Sequence, residues 1–350
     1  MKVHLQGLTE IRGVAALWVL IAHIDQFSDY LNIQTTHLSK TGIAGFMVTT
    51  FFTLSGFLIT YLLFEEQQYS NRINIKKFYV RRVLRIWPAY YLTICLSLVL
   101  ILIGFFSFSD DGKLLISITG FVFMIPNVLY TFGLTLPATT PLWSIGVEEQ
   151  FYLAWPWIVE KVQNLKIVII TGVVIYLVIK IIIFLIHPTG AAFALVKMTQ
   201  FDCIAFGAYA AILSRNKTPD LLYHPITQVL SIVVLISPLL FPIQFFANLE
   251  IELYALASAI WILNTSMNSN TFISIKSAIL RFFGRVSYGI YVYHFIWIYL
   301  IGSMNLGLNT TLTYVVVISV VTLFSYLSFE LIEKRFLNLK RRFSIIESKG

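Results

Sequence analysis

The chain has 350 residues, of which 58% are hydrophobic and only 12% are charged, and its mean hydropathy is +0.80. This composition holds more apolar surface than one water-soluble core can bury, so it excludes an ordinary soluble protein and predicts a polytopic membrane protein. The formal net charge of +8 is accounted for by basic loops between hydrophobic segments, and we expect no nucleic-acid partner.

The hydrophobic segments predict an all-α fold, a polytopic transmembrane helical bundle. The alternating pattern of a β-barrel is absent, and runs such as 167–174 and 181–186 are apolar on every face. Two shorter hydrophobic segments cover 115–134 and 143–160. The predicted full-length spans are residues 8–28, 43–64, 87–106, 166–186, 192–213, 226–243, 247–265, 286–302 and 310–330.

The basic residues predict the orientation of the bundle. Of the 25 Lys and Arg residues, 21 lie near the termini or in loops that one arrangement of the spans places on the same side of the membrane. The exceptions are Lys40, Lys113, Lys180 and Lys197. The positive-inside rule therefore predicts that both termini are cytoplasmic. Only one of the two shorter segments can then cross the membrane. We expect 115–134, interrupted at Gly120 and Pro126, not to cross, which leaves about ten spans.

Arg12 and His23 lie inside the first span, where ionisable side chains are costly and usually mark a functional site. Their separation is close to three helical turns, which places both on one face of a helix about 16 Å apart, with His23 near mid-membrane. Alternatively, Arg12 reaches the headgroups and His23 bonds to a neighbouring helix. No small-residue cleavage pattern follows this span, so we expect it to be retained.

Two further motifs carry charges next to or inside the membrane. Arg82 and Arg85, flanked by Arg81, project from one helical face and suit a phosphate, although they also fit ordinary positive charge beside a span. Glu148 and Glu149 are adjacent, so they point to different faces, and at least one faces the bundle interior. We predict that this carboxylate is the partner of His23, whereas a simpler reading is helix-dipole stabilisation near the helix start.

Five motifs occur in order along nearly the whole chain: Arg12-x10-His23, Phe51-Phe-Thr-Leu-Ser-Gly-Phe57, Arg82-x-x-Arg85, Trp143-Ser-Ile-Gly-Val-Glu-Glu-Gln-Phe-Tyr152 and Ser287-Tyr-Gly-Ile-Tyr-Val-Tyr-His294. Together they resemble the acyltransferase-3 family of bacterial integral membrane O-acyltransferases. The resemblance implies a ten-helix core that transfers an acyl group, commonly acetyl from acetyl-coenzyme A, to hydroxyls of extracytoplasmic glycans. It also implies that His23 is the catalytic histidine and that the arginines lie on the donor side.

The chain departs from the family pattern at two positions. Gln200 stands where the arginine of an Arg-x-Asp motif is common, so Asp202 lacks a possible cation partner, and we expect it to be either neutral or hydrogen-bonded instead. Arg335 replaces a usual Pro. The chain stops at residue 350, so we do not expect the additional esterase-like domain of some members.

The predicted site residues fall into three groups, with no metal site. The catalytic group is His23 as general base with Glu148 and Glu149. The donor-binding group is Arg12, Arg82 and Arg85. The substrate-binding group is Ser55, Trp143, Asp202, Tyr288, Tyr291 and His294, of which the last three also fit an ordinary interfacial belt at the end of a span. Ser55 fits either a nucleophile or close packing beside Gly56, so direct transfer and an acyl-enzyme both stay open.

We therefore predict a membrane acyltransferase domain at 1–335 and a basic cytoplasmic tail at 336–350, in the bacterial cytoplasmic membrane. Acetyl-coenzyme A or another acyl-coenzyme A acts as a substrate, with no permanently bound cofactor. The other partners are a glycan or lipid-linked saccharide and membrane lipids. The alternative is a glycan exporter or proton-coupled transporter with His23 in a proton relay, but no inverted repeat is visible in the sequence.

Overall fold

The computed structural model describes residues 2–108, 110–216, 218–344 and 347–349. Fifteen α-helices account for most of this part of the chain. They are α1 Leu8–Gln26, α2 Ile43–Ser70, α3 Ile75–Leu102, α4 Asp111–Val122, α5 Pro126–Thr131, α6 Trp143–Lys161, α7 Leu165–Ile186, α8 Ala191–Lys197, α9 Phe201–Arg215, α10 Asp220–Tyr223, α11 Pro225–Ile236, α12 Glu250–Met267, α13 Ala278–Ser303, α14 Thr310–Ser328 and α15 Lys334–Arg341.

Short elements complete the fold. Four 3₁₀ turns lie between helices, and a π-helical turn at Phe329–Glu333 joins α14 to α15. Two three-residue strands, β1 Lys2–His4 and β2 Glu347–Lys349, pair in parallel. The all-α prediction is therefore confirmed apart from this small pairing. Lys217, predicted to be cytoplasmic, and residues 345, 346 and 350 of the predicted tail lie outside the described residues.

Within the described residues, six helical segments are long and apolar enough to cross a membrane, as expected for a membrane protein. These are Ile43–Ser70, Ile75–Leu102, Leu165–Ile186, Ala191–Arg215, Phe246–Met267 and Thr310–Arg341. The number of ten spans and the cytoplasmic position of both termini stay predictions. Helix α2 is the most enclosed of the six segments, with 78% of its apolar window buried, and it packs against α1, α6, α9 and α12.

The interruption predicted within 115–134 is present. Helix α4 ends at Val122, Met124 has a φ of 59°, and α5 begins at Pro126. Proline suits the first turn of a helix because its missing N–H has no intrahelical acceptor there. Each of the two short helices is shorter than a membrane-spanning helix. The predicted span 192–213 is also divided, between α8 and α9.

Glycines allow two helix pairs to approach closely. A Cβ on Gly284 of α13 would lie 1.8 Å from the carbonyl oxygen of Thr9 in α1, and one on Gly207 of α9 would lie 1.8 Å from that of Thr53 in α2. Gly56 of α2 is similarly close to α9, whereas the role of its neighbour Ser55 stays a prediction. These contacts fix α1 against α13 and α2 against α9, the helices that carry much of the candidate site.

Candidate active site

A cavity of about 590 Å³ lies between α1, α2, α3, α6, α13 and α15. Its lining includes Arg12, Arg82 and Arg85, which confirms that the guanidinium groups of the first span and of the Arg-x-x-Arg motif share one pocket. Helix α3 runs without a break from Ile75 into its apolar half. The two motif arginines therefore stand in the N-terminal part of a helix that is long enough to cross the membrane, and their cytoplasmic position stays a prediction.

The arginines of α3 have different surroundings. Arg81 is neutralised by Glu66, with 2.6 Å between Nη2 and Oε2. Arg82 is buried, its guanidinium lies 5.4 Å from the ring centre of Phe78, and its Nε has no hydrogen-bond partner within the described chain. Among the described residues Arg12, Arg82 and Arg85 form no ion pair. The cavity thus contains guanidinium groups available to an anion, because buried cations need a counter-charge.

Glu148 and Glu149 point to different faces of α6, as predicted. Glu148 lines the cavity, where it accepts hydrogen bonds from Ser55 Oγ at 2.8 Å and Tyr152 Oη at 2.9 Å. Glu149 instead accepts from Trp87 Nε1 at 3.3 Å and does not line the cavity. Only Glu148 is therefore placed to contact a molecule in the pocket.

His23 lies beside His294, with 3.0 Å between His23 Nδ1 and His294 Nε2. His294 Nδ1 is 2.7 Å from the carbonyl oxygen of Tyr291 and 3.1 Å from that of Ile290. Carbonyls only accept, so Nδ1 of neutral His294 carries the proton and its Nε2 accepts from His23 Nδ1–H. Nε2 of His23 is then unprotonated and can act as a base.

The pairing predicted for His23 was wrong. Neither Glu148 nor Glu149 hydrogen-bonds to it within the described chain, because the outer half of α13 occupies its side of α1 and Glu148 is held by α2 and α6. His23 lies in the last turn of α1, and its depth in the membrane stays a prediction. The catalytic roles of these three residues stay predictions.

Three of the six predicted substrate-binding residues line the cavity and three do not. Ser55, Tyr288 and Tyr291 line the cavity, whereas Trp143, Asp202 and His294 do not. Trp143 packs edge-on against Phe52. His294 is fully buried and contacts His23 instead of open space. The ring of Tyr291 is 6.0 Å from that of His294, so the cavity ends one side chain away from the histidine pair.

Asp202 belongs to a separate buried group formed by α7, α9 and α12. It lies close to Glu252 and Lys180, and neither of its carboxyl oxygens has a hydrogen-bond partner in the described chain. Lys180 Nζ is 2.5 Å from Glu252 Oε1 and donates to the carbonyl oxygen of Asn248. Lys180 of α7 is thus the cation nearest to this group, but its ion pair is with Glu252 of α12 and not with Asp202.

Sequence reasoning missed several cavity residues. Tyr152 follows Glu148 by one helical turn, so helical spacing was a sufficient signal for it. Ser144 donates or accepts a 2.7 Å hydrogen bond with Tyr291 across α6 and α13. Lys340 and Arg341 of α15 also line the cavity. Their only sequence signal was the basic character of the tail.

Comparisons with known proteins agree with this architecture. A family model described as an acyltransferase domain, that of acyltransferase-3, matches residues 6–330. The peptidoglycan O-acetyltransferase OatA of Listeria monocytogenes is 28% identical over 320 residues, covering 83% of this chain and 49% of OatA. No solved structure matches.

Two other relatives cover more of this chain. A Staphylococcus aureus protein provisionally named an O-acetyltransferase is 26% identical over 95% of this chain and 57% of its own length. The Bacillus subtilis protein YrhL, provisionally named a peptidoglycan O-acetyltransferase, is 27% identical over 95% of this chain and 54% of its own length. The chain thus spans about half the length of these curated relatives.

Proposed function

Because the chain belongs to the acyltransferase-3 family, we propose that it is an integral membrane O-acyltransferase of the bacterial cytoplasmic membrane. It transfers acetyl from cytoplasmic acetyl-coenzyme A to a hydroxyl of a cell-surface glycan or its lipid-linked precursor. The names of the relatives support peptidoglycan as the first acceptor to test. The observation that carries the proposal is the arginine-lined cavity ending beside the histidine pair.

Donor binding follows from the charges at the cavity. Guanidinium groups bind phosphate through parallel hydrogen bonds, and Arg12, Arg82 and Arg85 form no ion pair within the described chain that would compete. A volume of about 590 Å³ is in the range of cavities that hold small molecules and cofactors. With the phosphates at the arginines, the flexible pantetheine arm carries the thioester toward Tyr291.

Acyl transfer then needs one base. Nε2 of His23 takes the proton of the acceptor hydroxyl while the hydroxyl oxygen bonds to the thioester carbonyl carbon. The tetrahedral intermediate collapses with cleavage of the carbon–sulfur bond, and the proton on His23 passes to the departing thiolate of coenzyme A. His294 holds the His23 ring through the Nδ1 hydrogen bond, the role that a carboxylate has in many triads. The thioester must pass Tyr291 to reach this pair.

The deciding experiment measures transfer directly. Purified protein in proteoliposomes receives labelled acetyl-coenzyme A and candidate glycans, and label on the glycan is scored. We expect transfer by the wild type and a loss on the order of 10²–10⁴-fold in His23→Ala. His187→Ala is the control, because His187 is exposed and outside the cavity. Equal transfer by His23→Ala and wild type would exclude His23 as the base and move that role to Glu148.

Donor binding is tested separately from turnover. Arg82→Ala with Arg85→Ala should weaken coenzyme A binding by roughly 1.5–3 kcal/mol per lost charged hydrogen bond, whereas exposed Arg72→Ala should not. If the double variant binds coenzyme A as tightly as the wild type, these arginines are only the positive charge that is usual on the cytoplasmic side of a span.

The transporter alternative predicts a different result. It predicts no acetylation by the wild type, with pH-dependent glycan flux that changes when His23 is replaced. The family assignment does not favour it. Mass spectrometry of surface glycans from cells with and without the protein identifies the modified sugar.

A further inference from the structure

Helix α15 forms part of the wall of the donor cavity. The π-helical turn at Phe329–Glu333 joins α14 to α15 within one continuous helical segment, Thr310–Arg341, and α15 packs against α3. Leu337, Lys340, Arg341 and Ser344 line the same cavity as Arg12 and the arginines of α3. The basic tail predicted from the sequence is thus partly a wall of the pocket.

The segment after α15 is held in place by α3. Arg81, already paired with Glu66, donates from Nη1 to the carbonyl oxygen of Phe343 at 3.2 Å. Ser344 Oγ donates to the carbonyl oxygen of Lys340 at 3.1 Å. Two hydrogen bonds therefore hold the backbone from Lys340 to Ser344 beside the cavity.

The charges around the cavity are out of balance. Seven basic side chains and three carboxyl groups line it, a formal excess of four positive charges if all of them are ionised. Lys340 is half-buried and has no carboxylate within 4.0 Å in the described chain, whereas Lys334 of the same helix pairs with Glu330 at 2.5 Å. Gathering like charges in a partly desolvated pocket is unfavourable unless an anion is bound.

We propose that Lys340 and Arg341 are donor-binding residues that complete, with Arg12, Arg82 and Arg85, a two-sided clamp for the phosphate groups of the acyl donor. The identity of that donor as an acyl-coenzyme A rests on the proposed function. Coenzyme A carries a diphosphate and a separate 3′-phosphate, and a phosphomonoester alone has a charge of about −1.5 to −2 at neutral pH. Arginines on two helices and cations on a third suit such a branched polyanion.

The test compares three charge-removing variants of the purified full-length protein: Lys340→Gln, Arg341→Gln and Arg342→Gln. Arg342 is the matched control, because it is an exposed neighbour in the same segment and does not line the cavity. Equilibrium binding of coenzyme A and of inorganic tripolyphosphate is measured for each, together with the thermal midpoint of the protein. Because loss of one charged contact weakens binding substantially, we expect Lys340→Gln to bind both probes at least about tenfold more weakly than the wild type. We expect a smaller loss for Arg341→Gln. Arg342→Gln should stay within about twofold of the wild type at an unchanged midpoint.

Different outcomes separate this clamp from the proposed donor. If both probes bind and Lys340→Gln binds them like the wild type, the clamp is refuted and the acyl-coenzyme A donor stands. If tripolyphosphate binds in a Lys340-dependent way but coenzyme A does not bind, the clamp is supported and the donor is refuted. If the wild type binds neither probe, both the clamp and the proposed donor are overturned. If Arg342→Gln weakens binding as much as Lys340→Gln does, only the clamp is overturned.

Discussion

Replacing His294 tests the orientation of the proposed base. In the structure His294 Nε2 is the acceptor for His23 Nδ1–H at 3.0 Å, and the His294 ring is itself fixed by the carbonyl oxygen of Tyr291 at 2.7 Å. In His294→Leu this acceptor is lost while most of the side-chain volume is kept. His23 then loses both its fixed tautomer and the hydrogen bond to the imidazolium that forms during transfer.

The magnitude follows from that one hydrogen bond. A bond to a charged group contributes about 1.5–3 kcal/mol, and each 1.4 kcal/mol is tenfold in rate. We therefore expect kcat of His294→Leu to fall by roughly 10–150-fold. Coenzyme A binding should be unchanged, because His294 does not line the cavity.

The assay is acetyl transfer in proteoliposomes with the donor concentration varied, which separates kcat from KM. His294→Gln is the informative comparison, since its amide oxygen can accept from His23 Nδ1–H and should restore part of the rate. A His294→Leu variant with wild-type kcat would refute the positioning role. So would a Gln variant that is no better than Leu at an equal thermal midpoint, because the lost acceptor would then not be the cause.

Three further predictions concern the fold. Reporter fusions at Lys113 and Leu165 should indicate opposite sides of the membrane, and same-side signals would contradict the ten-span topology. Gly207→Ala should destabilise the protein by about 1–3 kcal/mol or more in thermal unfolding, because the new Cβ would lie 1.8 Å from a carbonyl oxygen of α2. Gly172→Ala is the control and should be close to neutral, because no atom lies within 4 Å of its Cβ position. Lys180→Met should cost about 3–5 kcal/mol in the same measurement by leaving a buried carboxylate unpaired, and an unchanged midpoint would show that the pair is unimportant for stability.

The local features of this protein could be predicted from its sequence. The apolar runs determine where most helices lie, and the break before Pro126 follows from the missing N–H of proline. Helical spacing places Arg82 and Arg85 together, and adjacency places Glu148 and Glu149 on different faces. These results depend on residues within a few turns of one another, for which the geometry of one helix is sufficient.

The partners of these side chains were decided only by the tertiary structure. His23 and His294 are 271 positions apart, and nothing in the periodicity of α1 shows which helix will cover its outer turn. Lys180 of α7 pairs with Glu252 of α12, and Lys340 lines the cavity because α15 packs against α3. A sequence pattern specifies which face of a helix is buried, whereas the contacts made by that face depend on how all the helices pack around it.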